Sequence, residues 1–272
     1  MNCRQRMSRS LTICLTMLAV LLPVLLAPAT ASAQNELTYS QYRTLAWAAH
    51  RMDHLAMFEP LQGESGMLLA LGERFGTVQV FKHDGDSVKR VWKSIHLSGI
   101  PEELLVADLD SDGFDDALLC RTSGSKVYVW GLENFDLIWE SLSGEYQSIV
   151  GFTTANMDDS PEQEIVLLAD NHITYVDGVT FNRKFTTTGE YTATIVRCGD
   201  VDGDGRVEIV LNSGQVVDSV TGEIEWEDEP FFSRIELLDI DGDGMPEILT
   251  EGEISGALKV FDVDFRSEVR FQ

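Results

Sequence analysis

The sequence predicts an all-β fold, and three observations lead to this prediction. The apolar runs are short, rich in β-branched residues and separated by Gly, Asn and Asp, as is typical of strands. An acidic loop recurs along the chain, and an aromatic residue recurs at nearly the same spacing. Repeats of about 40 to 50 residues with four short antiparallel strands each are typical of β-propeller blades. We therefore expect a β-propeller of about five four-stranded blades over residues 55–272.

Residues 1–33 have the features of a secretory signal peptide. Three arginines precede a long apolar run, and Ala31 and Ala33 form an A-x-A cleavage site. Pro23 interrupts the apolar run, which favours a cleaved signal over the alternative of a retained membrane anchor. No later apolar run reaches the roughly 18 residues that a membrane span requires. We therefore predict a secreted or periplasmic protein.

Charge and cysteine content narrow the possible partners and the redox chemistry. The formal net charge is −25, and it becomes about −28 without the signal. Such acidity argues against nucleic acid and anionic membranes as partners. Beyond the signal only Cys120 and Cys198 remain, and they fall in different repeats. We expect buried free thiols rather than the alternative, a disulfide between them.

The acidic loops can be superimposed residue by residue. Three of them, "DLDSDGFDD" from Asp108, "DVDGDGRVE" from Asp200 and "DIDGDGMPE" from Asp239, carry carboxylates at loop positions 1, 3, 5 and 9 and Gly at position 6. A fainter copy, "NMDDSPEQE" from Asn156, keeps carboxylates at positions 3 and 9. The four starts are 48, 44 and 39 residues apart, which is the length of a small supersecondary unit. A degenerate copy occupies residues 59–66.

The recurring aromatic residue follows the same period. Its copies lie 45, 47, 46 and 41 residues apart, at Trp47, Trp92, Trp139, Phe185 and Trp226. Phe271 falls 45 residues after the last of these. Each unit therefore consists of a strand, the acidic loop, two further strands and a fourth strand that carries the aromatic. We expect these rings to pack in the core or between blades rather than to stack on sugars. Residues 34–54 are expected to form a short helix or a closing strand.

The chemistry of the loops indicates a divalent cation. Oxygen ligands at alternating positions of a tight loop are typical of calcium sites, and magnesium demands stricter octahedral geometry. Carboxylates this close repel one another unless a cation lies among them. EF-hands and dockerins place an acid at position 12 between helices, whereas here that position is Leu119, Leu211 or Thr250 and the flanks resemble strands. Acidic turns without metal are the other alternative.

The fainter loop has less of the chemistry that calcium requires. Its candidate ligands are Asn156, Asp158, Ser160 and Glu164. Pro161 stands at position 6 and cannot adopt the positive φ that is open to Gly. This favours a metal-free acidic turn over a fourth calcium site.

The D-x-D-x-D-G-x-x-[DE] loop followed by an apolar strand resembles the FG-GAP or VCBS repeat, found in integrin α-subunit propellers and in many secreted bacterial proteins. The resemblance covers roughly residues 55–272, and it implies a calcium loop between the first and second strands of a blade. The implied ligands, with a backbone carbonyl at position 7, are Asp108, Asp110, Asp112, Phe114 and Asp116; Asp200, Asp202, Asp204, Arg206 and Glu208; and Asp239, Asp241, Asp243, Met245 and Glu247. Integrin-type propellers have seven blades, whereas this chain offers about five units.

We find no catalytic constellation in the sequence. His50 and His54 lie four residues apart without the Glu of a zinc-protease motif, and "GESGM" does not satisfy G-x-S-x-G. We therefore expect a non-enzymatic scaffold that binds another protein or a cell-surface glycan. One alternative is a polysaccharide lyase or hydrolase. The other is an incomplete ring that a partner chain or self-assembly completes, or that the Trp47 segment closes by pairing with "SEVRF".

Overall fold

Twenty β-strands and no helix make up the part of the chain that the computed structural model describes. The described residues are 55–58, 67–83, 87–231, 234–240, 242–251, 258–263 and 267–269. The strands form five four-stranded antiparallel sheets, each hydrogen-bonded in chain order. This confirms the predicted all-β propeller with its four-stranded blades. The signal peptide and the segment 34–54 lie outside the described residues.

Each blade takes four consecutive strands. The first consists of β1 (Leu55–Phe58), β2 (Met67–Glu73), β3 (Thr77–His83) and β4 (Val88–Lys93). The second consists of β5 (Pro101–Ala107), β6 (Ala117–Thr122), β7 (Lys126–Gly131) and β8 (Leu137–Glu140). The third consists of β9 (Ile149–Ala155), β10 (Glu164–Ala169), β11 (His172–Asp177) and β12 (Arg183–Thr186). The fourth consists of β13 (Val196–Gly199), β14 (Glu208–Leu211), β15 (Gln215–Asp218) and β16 (Ile224–Glu227). The fifth consists of β17 (Ile235–Leu238), β18 (Glu247–Glu251), β19 (Leu258–Asp262) and β20 (Ser267–Val269).

Burial explains the apolar runs of the middle strands. In β10, all six side chains are buried, because Ile165 and Leu167 pack toward the second blade while Val166 and Leu168 pack toward the fourth. A strand covered on both faces has no polar face, so alternation disappears from its sequence. The fourth strands β8, β12 and β16 are exposed except at the aromatic residue, which is half-buried.

Four core clusters join successive blades, and each cluster takes side chains from two of them. The cluster between the second and third blades, for example, contains Leu119 and Val129 from one and Phe152 and Leu167 from the other. Fully burying a side chain of this size stabilises the fold by about 1.5 to 3 kcal/mol. The first strands of successive blades also lie beside one another. All described strands belong to one compact unit, Arg51–Gln272.

The recurring aromatic residues pack between blades. Trp92 stacks on Phe135 of the second blade with ring centroids 5.2 Å apart, and Trp139 stacks on Phe181 of the third blade at 5.4 Å. Trp226 contacts Phe261 of the fifth blade. The prediction that these rings serve packing is therefore confirmed at the interfaces between the first and second, the second and third, and the fourth and fifth blades. Trp47 and Phe271 lie outside the described residues.

Both remaining cysteines are free thiols: Cys120 is buried and Cys198 is half-buried. Burial raises the pKa of each thiol well above its ordinary value. Both cysteines are therefore free thiols as predicted, and the predicted burial is confirmed for Cys120. Within the described strands and loops, no helix is long and apolar enough to span a membrane.

Candidate metal loops

The acidic loops lie between the first and second strands of their blades, where the sequence predicts them. Because strands 1 and 2 are antiparallel, every such loop lies at the same end of its blade, together with the turns between strands 3 and 4. Strands flank all four described loops, so EF-hand and dockerin geometry is excluded for them. The degenerate copy at 59–66 also falls between two first-blade strands, although its residues are not described.

In the second blade, carboxylate oxygens of Asp108, Asp110 and Asp112 lie within 4.8 Å of one another. Asp108 accepts hydrogen bonds from the backbone N–H groups of Asp112 (3.1 Å) and Gly113 (2.8 Å). Asp112 accepts a bond from the Phe114 N–H at 2.9 Å. The loop backbone thus turns around these carboxylates and fixes where their oxygens point.

The fourth blade gathers a similar set. Carboxylate oxygens of Asp200, Asp202 and Glu208 lie within 4.8 Å of one another, and Glu208 is buried. Asp200 accepts bonds from Gly203 (2.9 Å) and Gly205 (3.2 Å). These three carboxylates offer hard oxygen atoms around one point and could hold a metal ion.

The predicted ligands at loop positions 5, 7 and 9 do not all belong to these three-carboxylate groups. Asp204 accepts a bond from the Arg206 N–H at 2.8 Å and lies outside the three-carboxylate group of the fourth blade. In the second blade, Asp116 is the member outside the group. Its Oδ1 accepts a bond from the Leu109 N–H at 2.9 Å.

The fifth blade repeats the backbone pattern. Asp239 accepts a bond from Gly242 at 2.6 Å, Asp243 accepts one from Met245 at 2.8 Å, and Glu247 accepts one from Ile240 at 2.6 Å. Asp241 lies outside the described residues. The role of this loop as a metal site therefore stays a prediction.

Glycine at loop position 6 has a conformational reason. Gly113, Gly205 and Gly244 have φ angles of 97°, 91° and 104°, which L side chains rarely adopt. In the loop from Asn156, neither Asp159 nor Pro161 has a positive φ. The third-blade loop therefore follows a different backbone path, as Pro161 requires.

The position 9 carboxylate has one role common to all four loops. One of its oxygens accepts the N–H of loop position 2, at 2.8 Å for Glu164 and 2.9 Å for Glu208. In the second blade, Asp116 makes the same bond but precedes the second strand. There the last residue of strand 1, Ala107, pairs with Ala117, whereas in the fourth blade Gly199 pairs with the position 9 acid itself, Glu208. The second-blade loop is therefore one residue longer, an offset that the loop superposition does not predict.

Burial, together with the neighbouring carboxylates, raises the pKa of two position 9 acids. Burial, reinforced by the charges of Asp202, Asp200 and Glu225, raises the pKa of Glu208 from 4.5 to about 7. Burial, with Asp110 and Asp108 nearby, also raises the pKa of Asp116. No Lys or Arg among the described residues forms an ion pair with the two three-carboxylate groups. Both groups thus have the excess negative charge that a divalent cation would neutralise.

The third-blade loop holds a residue that sequence reasoning missed. Lys184 on β12 places its Nζ 2.8 Å from Asp158 Oδ2 and 2.7 Å from Glu164 Oε1. It stands one residue before the blade's aromatic, Phe185. A lysine at that position, in the repeat whose loop lacks acids at positions 1 and 5, is the signal that could have identified it.

Exposed apolar side chains lie at both ends of the blades, and the three most exposed among the described residues lie at the end opposite the acidic loops. The turns between strands 2 and 3 and the connections between blades lie there, because strand 1 begins where strand 2 ends. Phe75 is 66% exposed, and Ile95 and Leu142 are each 74% exposed. His96 Nδ1 lies 3.0 Å from the Phe75 carbonyl, so the first two belong to adjacent segments. His50, His54 and the "GESGM" segment up to residue 66 lie outside the described residues.

No family model and no curated protein matches the sequence. Solved structures match the fold. The chain is similar to Saccharomyces cerevisiae Sqt1 (TM-score 0.57, 15% identity, covering 77% of this chain and 59% of that one). It is similar to BBS1N, solved in complex with ARL6DN (TM-score 0.55, 11% identity, covering 80% of this chain and 67% of that one). It is also similar to the Pan2 WD40 domain of Neurospora crassa (TM-score 0.53, 16% identity, covering 80% of this chain and 64% of that one). These neighbours are β-propellers, and the chain spans about three fifths of the length of Sqt1.

Proposed function

We propose that this chain is a secreted or periplasmic scaffold that binds another protein through one end of a calcium-stiffened β-propeller. The observation that carries the binding role is the exposure of Phe75, Ile95 and Leu142 at the end opposite the acidic loops. Large apolar side chains that are this exposed to solvent, two of them on adjacent segments, are typical of interaction sites. The complex of BBS1N with ARL6DN is an example of a similar propeller with a protein partner.

Calcium is the cation that the loop chemistry favours. Three carboxylates in each of two loops, at Asp108 and at Asp200, fit its preference for several oxygen ligands, and the Asp239 loop has the same pattern. The resemblance to FG-GAP or VCBS repeats supports the same ion. We expect calcium to be structural: it would bind only the folded loops and so stabilise the blades by mass action. A non-enzymatic role agrees with the propeller neighbours.

A variant-based capture experiment tests the binding role. We expect Phe75→Ser together with Ile95→Ser to abolish capture of a partner from the secreted or periplasmic fraction. Val179→Ser is the matched control, because Val179 is an exposed apolar residue in a turn at the acidic-loop end. Equal capture by both variants and the wild type would refute the assignment of the apolar end. A glycan array with the same proteins tests the alternative partner, a cell-surface glycan.

Calorimetric titration tests the metal separately. We expect calcium uptake at up to millimolar concentration, a higher melting temperature with calcium than with chelator, and loss of one site in Asp202→Asn. No uptake at millimolar calcium would refute the calcium assignment and leave the binding role open.

A second candidate is a ring that another chain completes. Among the described residues, four core clusters join five blades, and none joins the fifth blade to the first. On the first blade, Leu55 pairs with Leu71, and Leu69 pairs with both Met57 and Phe81. These side chains are half-exposed and belong to none of the four clusters. Light scattering and melting across a hundredfold concentration range would test this: a concentration-independent monomer would exclude self-assembly.

A further inference from the structure

The third blade differs from its neighbours in the charge that its acidic loop faces. The Lys184 ammonium is surrounded by oxygens: Glu164 Oε1 at 2.7 Å, Asp158 Oδ2 at 2.8 Å, and Asp177 Oδ2 and Ser160 Oγ at 3.3 Å each. Three of these groups are carboxylates. An ammonium thus lies among the oxygens that a cation would otherwise hold together.

The burial of Glu164 makes the positive charge of Lys184 necessary. The Glu164 side chain has no solvent exposure, and Lys184 keeps only 27% of its own. A buried carboxylate requires a paired charge or a change of its ionisation. One oxygen of Glu164 accepts the Met157 N–H at 2.8 Å, and the other accepts Lys184. Both oxygens of the position 9 acid are therefore satisfied within the protein.

The equivalent positions of the neighbouring blades carry no positive charge. The residue before the strand 4 aromatic is Ile138 in the second blade and Glu225 in the fourth. Glu225 adds a negative charge near Glu208. The second and fourth blades, which have a full set of loop carboxylates, thus lack the lysine, and the third blade, which has the reduced set, has it.

We propose that Lys184 replaces the divalent cation in the third blade, so that the loop 156–164 is held by a covalently attached ammonium and does not depend on metal. The contrast with the loops at Asp108 and Asp200 rests on the calcium part of the proposed function. The different backbone at Asp159 and Pro161 is consistent with this, since a loop closed by lysine need not follow the calcium-loop path. The propeller would then combine metal-dependent and metal-independent blades.

Hydrogen exchange of the wild type, with calcium and with chelator, tests the contrast directly. We expect chelator to accelerate exchange in segments 108–116 and 200–208 and to leave segment 156–164 unchanged. Acceleration in 156–164 would overturn the proposal. If 108–116 and 200–208 are unaffected as well, the calcium assignment fails, and the variants below still decide the role of Lys184.

Lys184→Met removes the ammonium and keeps a flexible apolar side chain. We expect exchange in segment 156–164 to accelerate at least about fivefold, both with and without chelator. Lys126→Met is the matched control, since Lys126 pairs with Glu140 at 2.7 Å outside any acidic loop. Glu164→Gln combined with Lys184→Met removes both charges and is expected to restore slow exchange. Unchanged exchange in Lys184→Met, or equal acceleration in 156–164 by Lys126→Met, would overturn the proposal.

Discussion

The Tyr175 hydroxyl donates a hydrogen bond to the carbonyl oxygen of Ser219 at 2.8 Å and so joins the third blade to the fourth. Both residues are buried. In the connection after the third blade, the Tyr191 hydroxyl donates to the Gly222 carbonyl at the same distance. The turn between β15 and β16 is therefore fixed from outside by two tyrosines.

Tyr175→Phe is expected to lower the free energy of unfolding by about 1 to 2 kcal/mol, because it leaves the buried Ser219 carbonyl without its donor. Denaturant titration measures the loss. Tyr146→Phe is the control, since its hydroxyl accepts a longer bond, 3.4 Å from Arg183, and we expect less than about 0.5 kcal/mol there. Equal losses in the two variants would contradict this explanation.

Cation uptake by the fourth-blade loop is expected to weaken at low pH. The pKa of Glu208 is raised to about 7, so this acid becomes protonated as the pH falls from 8 to 6 and competes with the metal. Without metal, Glu208 has a higher pKa in the folded state than in the unfolded state. It therefore reduces the free energy of unfolding progressively as pH rises from about 4.5 to 7. Stabilisation by calcium should therefore be largest above pH 7. Calcium titrations at pH 6, 7 and 8 measure this, and Glu208→Gln should weaken binding and flatten its pH dependence.

The pairing of Asp158 with Lys184 predicts an acid-sensitive contribution to stability. Hydrogen bonding from Lys184 is the main reason that the pKa of Asp158 falls from 3.8 to about 2. A depressed carboxylate pKa stabilises the fold above pH 3.8, and this contribution is lost as pH falls toward 2. We expect at most about 1 kcal/mol, because solvent screens this exposed carboxylate. The gap between wild type and Asp158→Asn should close between pH 5 and 2; parallel stability curves would argue against it.

Gly214→Ala is expected to destabilise the fourth blade by about 3 kcal/mol or more. Gly214 has a φ of 95°, and a Cβ there would lie 2.4 Å from the Asp228 carbonyl oxygen and 2.7 Å from that of Glu229. Gly144 has a φ of 76° with open space around its Cβ position, so Gly144→Ala should cost only about 1 to 2 kcal/mol, for the left-handed backbone alone. Thermal or chemical denaturation compares the two, and similar losses would show that the clash is relieved.

Sequence pattern predicts the features that repeat locally. The acidic loops fall between strands 1 and 2, and Trp92, Trp139 and Trp226 fall on fourth strands, because spacing alone determines both. The contribution of Lys184 could not be read in this way, since it reaches its loop from 20 residues downstream of Glu164. Pairing across a sheet brings such residues together, and no local window contains both.

Small hydroxyl residues show the same limit of prediction from the sequence. Ser94, Ser141 and Thr187 each accept the N–H of a third-strand residue, from Val78, Val127 and Ile173 respectively. Each stands two residues after the strand 4 aromatic, so a repeat alignment contains the signal. Single serines and threonines are too common in loops to be singled out without the structure.

The sharing of every core cluster between two blades has a consequence for how the chain can change length. An isolated blade would expose both apolar faces of its sheet, so the smallest unit able to fold would be a pair of blades. Each added repeat would contribute one more junction, meaning one more core cluster between two blades. Loss of an interior repeat would break two junctions and create one new one, whereas loss of a terminal repeat would remove only one. Growth and shortening by whole repeats at the ends would therefore disturb the remaining architecture least.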